Sequence, residues 1–395
     1  MDKLGPLRMA VGSYYSRHAA AELAELLTST PSPNWETTVR RGIALGLGPI
    51  LHTVLGKIEI TDLDPNLRAA LAQVYYDSAT HNLLALRELV QILNAFDQAQ
   101  IPLFVLKGGA LTPLLYDNPA LRPMVDLDLL IAFNELDEAE HVLNQLGYKA
   151  KEPLPFKNEQ GLFWNELHLI KPGLGTMSVE LHWRLLNNPY YARRLAIEEL
   201  SARAHSFSFE GLSVPTLSLE DHVLHLCSHH AYHHRGPLAR TAVDIALILQ
   251  SPTVRLNWDV LLARAKEAEL TWAVRQTLIT AANDWYVPIP DGRLEDLGKL
   301  SVSARQRCFA HSQRSEFLKV LQTFVMLPGP KLKSRFLVGQ LFPDRDYLRW
   351  RYGVKAESPR IIAYGQRYLS GLQRLKAELG QLLSRLRPQQ ADRRH

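Results

Sequence analysis

Only two cysteines, Cys227 and Cys308, occur in 395 residues. That scarcity excludes a disulfide framework and fits a reducing cytoplasm. No uninterrupted apolar run reaches the ~18–20 residues that a membrane span needs. The opening Met1-Asp-Lys-Leu-Gly-Pro lacks the apolar centre of a secretory leader. Internal repeats and low-complexity tracts are missing too, so solenoid and fibrous classes drop out. What remains has 46% hydrophobic and 22% charged residues, ordinary for a globular chain with room for two or three domains. The net charge of +5 is uneven: residues 331–395 carry 15 Lys/Arg against 5 Asp/Glu, and the rest is mildly acidic. A basic end of this kind suits an anionic surface or polymer as partner, or simply a solvated helix face.

The chemistry concentrates between residues 101 and 131. A short apolar run, 103–106, stops at Lys107-Gly-Gly109 and turns helical over 110–116. Paired glycines after such a run predict a buried strand feeding a turn where backbone can approach a ligand. The following helix N-terminus favours anions, and Pro113 is compatible with a first helical turn. A second strand is predicted over 125–132, and alternation sends Asp126 and Asp128 to one face. Paired carboxylates repel, and a divalent cation such as Mg²⁺ relieves them while taking substrate phosphate oxygens. The alternative is a solvated acidic pair on an open sheet face.

Leu106-Lys-Gly-Gly-Ala110, then Leu115-Tyr116, then Leu121-Arg-Pro-Met-Val-Asp-Leu-Asp128 resembles the signature of the uncharacterised bacterial nucleotidyltransferase family, within the DNA polymerase β-like superfamily. Gly109 stands where many members carry serine. The resemblance implies a glycine turn between first strand and helix, two acidic residues on the next strand and a third on a later one. It also implies an α+β fold, with a small mixed sheet flanked by N- and C-terminal helical domains. Four segments are expected: helices over 1–98, the transferase core over 99–217, a helical domain with a His-rich helix over 218–330, and the basic segment 331–395, with an amphipathic helix over 361–386 and a disordered end.

Helical periodicity dominates 14–98, with Leu83, Leu86, Leu89, Ile92 and Leu93 in one stripe and Trp35, Tyr75 and Tyr76 as core. Two alternating runs, 162–171 and 176–183, flank a Pro/Gly turn and predict a hairpin. In the second run Ser178, Glu180 and His182 share a face, which makes Glu180 the candidate third carboxylate. Two metal ions about 3.5–4 Å apart serve such a transfer, one on the attacking oxygen and one on the triphosphate. Asp126, Asp128 and Glu180 are therefore the expected catalytic and Mg²⁺-holding residues, with Glu180 also able to act as base. Gly108 and Gly109 would cradle phosphate. Lys107 and Arg122 would offset its charge, each with an ion pair to an aspartate as the structural alternative. His168 and His182 would flank the site.

A second hairpin, turning at Glu210-Gly211, precedes a helix that Ser218 and Asp221 open. This helix carries His222, His225, His229 and His233 on one stripe. His229-x-x-x-His233 has zinc-chelating spacing, but no Glu follows His229, which excludes the usual metalloprotease motif. The family resemblance implies instead that His229, His233 and Asp244 line the cleft or brace a helix pair.

The expected reaction moves a nucleoside monophosphate from a nucleoside triphosphate to an unidentified acceptor hydroxyl, with pyrophosphate released. Two rivals are a degenerate nucleotide-binding scaffold docked through the basic end, and a glycosyltransferase using Asp-x-Asp. The second would need a Rossmann-like half before the motif, where this chain is helical. Asn at 126 or 128 should abolish transfer and leave the melting temperature near wild type.

Overall fold

A computed structural model describes residues 4–28, 34–58, 63–152, 164–173, 177–233, 238–251, 255–312, 315–353, 361–362, 364–373 and 376. The chain divides into two compact units, one of residues 1–150, 165–187 and 191–310, the other of 151–164, 188–190 and 311–395. The expected boundaries near 98 and 217 both fall inside the first unit.

The first unit begins with helices α1 (Gly5–Gly12), α2 (Arg17–Thr28), α3 (Trp35–Ala44), α4 (Gly48–Leu55) and α5 (Pro65–Gln98). Asp64 opens α5 by accepting from the Asn66 N–H at 2.7 Å, and Pro65 takes a position whose donor would go unused. Leu86, Leu89, Ile92, Leu93 and Phe96 bury one face of α5. Leu83 does not join them: it is 60% exposed, because Ser78 and Asn82 occupy the inward positions of that turn. Tyr76 is exposed as well, whereas Trp35 is core. Buried Asn82 donates to Pro119 O at 2.5 Å and Arg122 O at 2.8 Å and accepts from Met124 N at 3.1 Å. A buried amide stays only where its polar atoms are partnered, so Asn82 fixes the loop that leads into the acidic strand.

Among the described residues seven strands form one mixed sheet in the order β3-β4-β5-β2-β1-β7-β6. They are β1 (Leu103–Val105), β2 (Leu127–Ile131), β3 (Lys149–Ala150), β4 (Glu166–Lys171), β5 (Met177–His182), β6 (His205–Phe209) and β7 (Leu212–Thr216). β2 runs antiparallel to β1 and parallel to β5, and β4/β5 and β6/β7 are the two expected hairpins. Every residue of β1 and β2 is buried, as suits central strands covered on both faces. Helix α6 (Lys107–Leu115) follows β1 and α7 (Leu136–Gln145) follows β2. Since α6 starts at Lys107, Pro113 falls beyond its first turn, and the helix ends two residues later. Gly147 leaves α7 at φ 93, the left-handed exit that glycine permits. This is the α+β arrangement of a small mixed sheet among helices.

After α8 (Ile197–Ala202) come α9 (Leu219–His233), α10 (Ala239–Gln250), α11 (Trp258–Glu267) and α12 (Thr271–Trp285). At the start of α9 the Ser218 hydroxyl accepts from Asp221 N at 3.3 Å and donates to the Asp221 carboxylate at 3.0 Å. The second unit contains α15 (Glu316–Met326), α16 (Gly329–Leu341) and α17 (Arg345–Tyr352), following α13 (Arg293–Lys299) and α14 (Ala304–Ser312). Leu327, Phe336, Gly339 and Leu348 are among its buried residues, and Arg367 donates to Gln340 O at 2.6 Å. The expected helix over 361–386 is seen at 361–362, 364–373 and 376; its remainder and the expected disordered end lie outside the described residues. No helix among the described residues is long and apolar enough to cross a membrane.

Candidate active site

The site grows from three strand ends. β1 delivers Leu106 in extended conformation, and its N–H donates to Asp128 O at 2.9 Å. Lys107 then turns at φ 39, a conformation that costs a residue with a side chain and that recurs at functional turns. Its Nζ donates to Asp128 Oδ1 at 2.6 Å and lies 4.0 Å from Glu180 Oε2. β2 and β5 run parallel in a register that sets Asp128 directly beside Glu180. Asp126, just before β2, lines the same cavity of about 230 Å³ as Asp128 and Glu180. Lys107, Gly108, Arg122, His229, Arg240 and Asp244 line it too. That volume is below the roughly 300–1,000 Å³ of most small-molecule clefts and suits a polyphosphate better than a whole nucleotide.

The carboxylates differ sharply in their surroundings. Burial pushes the Asp128 carboxyl up, but Lys107 and His182 outweigh it and hold it well below the usual range. Asp126 has no hydrogen-bond or ion-pair partner among the described residues. Burial, then the charges of Asp128 and Glu180, push it up to about 6. Burial weighs against the charged form of His182, yet three carboxylates raise it well above an ordinary histidine. Its Nε2 lies 3.0 Å from Asp128 Oδ1 and 3.5 Å from Glu180 Oε2, and its Nδ1 lies 3.1 Å from Glu166 Oε2. Both ring nitrogens therefore donate, which makes His182 an imidazolium clamped between β2 and β4.

The donor set fits a hard cation. Asp128, Glu180 and His182 bring one ligand atom each within 4.8 Å of one another, but His182 as a double donor has no lone pair to offer. The oxygens of Asp126, Asp128 and Glu180 remain, and oxygen sets suit Mg²⁺ rather than zinc. The packing also revises the expected neutrality of Asp128→Asn. That change would take the charge partner from buried His182 and half-buried Lys107, whereas Asp126→Asn takes one from neither.

Other expected residues take different places. Arg122 is buried and spends Nε and Nη2 on Asp244, each at 2.8 Å. Tyr116 donates to the same carboxylate at 2.7 Å. Asp244 thus braces α10 against the loop before β2 and consumes the Arg122 fork. Gly108 faces the cavity wall: a Cβ there would meet Arg122 Nη1 at 2.6 Å and Met124 Cγ at 2.8 Å. Gly109 does not line the cavity. Its missing side chain faces Val105 Cγ1 at 2.8 Å and Leu127 Cδ2 at 3.4 Å, so it admits close helix–strand packing.

The histidine stripe of α9 runs from core to cavity. Buried His222 has Nε2 2.9 Å from Thr216 Oγ1, and that hydroxyl gives its one proton to Val105 O at 2.6 Å, so Nε2 is the protonated nitrogen. His225 is buried, and its ring centroid lies 5.9 Å from that of His229 at the cavity wall. The His233 side chain lies outside the described residues. No metal-capable cluster among the described residues includes His229.

Two residues escaped the sequence reading. Glu166 clamps His182 and lies 3.1 Å from His168 Nε2. Its signal was available, because Glu-Leu-His occurs at both 166–168 and 180–182 on the two arms of a predicted hairpin. Antiparallel pairing sets Glu166 against His182 and His168 against Glu180. Arg240 offers no such motif.

No curated protein sequence matches the chain. Among solved structures it is similar to ANT(2")-Ia in complex with adenylyl-2"-tobramycin at 15% identity, over 50% of this chain and 94% of that one, with a TM-score of 0.27. It is also similar to an antigenic nucleotidyltransferase-like protein from Paracoccidioides brasiliensis at 15% identity, over 56% and 94% of the two chains, with a TM-score of 0.33. Likeness at that level carries no argument. The family match is of another order, spanning residues 31–285 and so every element from α3 to α12. On that match the chain belongs to the uncharacterised nucleotidyltransferase family.

Proposed function

We propose that the chain moves a nucleoside monophosphate from a nucleoside triphosphate to an acceptor hydroxyl, with Mg²⁺ required and pyrophosphate released. The observation that carries this is Asp126, a half-buried carboxyl without a hydrogen-bond or ion-pair partner among the described residues, crowded by Asp128 and Glu180 in one cavity. Unpaired carboxylates at a cavity wall are costly, and they persist where a ligand will compensate them. Asp126, Asp128 and Glu180 would hold the ions. Bound there, two magnesium ions would neutralise triphosphate charge and favour ionisation of the attacking hydroxyl.

The chain's own residues do the rest. His182, held by Glu166 of β4, fixes Asp128 on β2, so its orientation survives the arrival of substrate. Lys107 is the mobile cation, an ammonium on a flexible stem that can turn from Asp128 toward phosphate. Gly108 leaves room at the cavity wall. The acceptor oxygen bonds to the α-phosphorus, the bridging α–β bond breaks, and the hydroxyl proton passes to the Glu180 carboxylate. The same reading puts the reaction in the cytoplasm, in keeping with two free cysteines of which Cys308 is exposed. It leaves the basic segment from residue 331 to meet an anionic surface or polymer.

Calorimetry with ATP, GTP, CTP and UTP, with and without Mg²⁺, tests the reading. Triphosphate binding that needs Mg²⁺ and is lost in a folded Asp126→Asn variant supports it. Metal-independent binding, or none, sinks it.

A further inference from the structure

With Arg122 committed to Asp244, the cavity needs another guanidinium if it is to grip a polyphosphate. We propose that Arg240 binds the polyphosphate of the nucleoside triphosphate, and that Arg122 supports the wall without touching substrate. This deepens the nucleotidyltransferase reading and rests on it.

Arg240, in the first turn of α10, lines the cavity together with the carboxylates of β2 and β5. One donor, Nη1, is spent on Pro123 O at 2.7 Å. No carboxylate pairs with it among the described residues, so several of its five N–H groups stay available for a bidentate contact. The contact to Pro123 ties the guanidinium to the loop that carries Asp126, which fixes the distance between the anion-binding and cation-binding walls. Its stem is held on the other side by Gly46, at φ 71 between α3 and α4. A Cβ there would come within 3.2 Å of Arg240 Cδ and 3.3 Å of Nε. An arginine wedged between a glycine turn and a backbone carbonyl has lost much of its rotamer freedom before any ligand arrives, which favours binding.

The electrostatics agree with this placement. Burial, then the nearby charge of Arg122, lowers the pKa of Arg240. The charges of Asp244 and Asp126 offset this in part, although Asp244 accepts its hydrogen bonds from Arg122 and Tyr116. Arg240 is thus a cation without a carboxylate ion pair among the described residues, facing a cavity of polyphosphate size. The plainer role for it is a strut that holds α10 to the loop before β2.

Binding of ATP, AMP and inorganic tripolyphosphate to wild type, Arg240→Lys and Arg240→Ala in Mg²⁺ separates the two roles. The alanine variant should bind ATP and tripolyphosphate about 10- to 100-fold more weakly, the usual loss for a charged hydrogen bond, while AMP binding changes far less. The lysine variant should fall between, since an ammonium restores charge without the fork. A strut would weaken ATP and AMP alike, and that result, or unchanged ATP binding in both variants, overturns the assignment. Wild type that binds neither ATP nor tripolyphosphate would overturn the nucleotidyltransferase reading itself, whatever the variants do.

Discussion

Asp126 and Asp128 should answer the same substitution in opposite directions. Asp126 titrates near 6 in the folded chain against an ordinary 3.8. At about 1.36 kcal/mol per pH unit, that gap sets an upper limit of about 3 kcal/mol on the cost of its charge. Because the folded value is raised, the penalty is absent below pH 3.8 and fully present above pH 6. The cavity admits water, so Asp126→Asn should raise stability by about 1–3 kcal/mol at neutral pH in chelator. Asp128→Asn neutralises the carboxylate that Lys107 and His182 face at 2.6 and 3.0 Å. Weakening both pairs, with Glu166 and Glu180 still facing His182, should cost about 1.5–3 kcal/mol. Urea denaturation of both variants in EDTA near pH 7.5 reads the contrast, and a transfer assay in Mg²⁺ should find both inactive. If Asp126→Asn destabilises like its neighbour, the carboxylates are not crowded together. The case for a cation between them would then fall.

Two further outcomes follow from the buried network. Asp244→Ala strands Arg122 and the Tyr116 hydroxyl, so it should cost about 3–5 kcal/mol, whereas Arg122→Met with Asp244→Leu should cost clearly less than the two single changes together; additive losses in a urea double-mutant cycle would show that the pair is not coupled. His222 is held down at about 4 by burial, against 6.5 ordinarily. A lowered histidine contributes stability that is complete above pH 6.5 and declines as pH falls toward 4, so His222→Asn should flatten the stability profile across that window, and parallel profiles would rule the burial effect out.

The sheet was readable because its strands obey local rules. An all-apolar run ended by glycines, as at 103–109, has few alternatives to a buried strand and turn. Gly147, Glu210 and Gly211 mark their turns by conformations that the sequence advertises, with φ of 93°, 48° and 78°. Helix faces were harder. The apolar stripe of α5 was legible from Leu86 onward, but Leu83 has helical spacing and still faces water. The inward positions there belong to Ser78 and Asn82, whose partners lie around residue 120. Periodicity registers apolar residues and is blind to a buried amide that earns its place by fixing a distant loop.

The same limit governs the site. Asp126, Asp128 and Glu180 share a cavity because alternation on two strands is a short-range rule and β2 pairs directly with β5. The cations obey no such rule. Arg122 sits beside the acidic strand in sequence, which suggests a role toward phosphate, yet its partner Asp244 lies 122 residues away and takes both ends of the fork. Gly109 likewise belongs to a motif that suggests phosphate, but its missing Cβ answers Val105 and Leu127. Lys107 is intermediate: its sequence position allows both a phosphate contact and the ion pair it makes with Asp128, and a lysine stem can leave that pair more cheaply than an arginine fork can leave a bidentate one. Hence the cation next to the motif is structural when a carboxylate is buried with it, and the cation at the rim stays available. Sequence adjacency cannot distinguish the two, because what separates Arg122 from Arg240 is which of them Asp244 reaches.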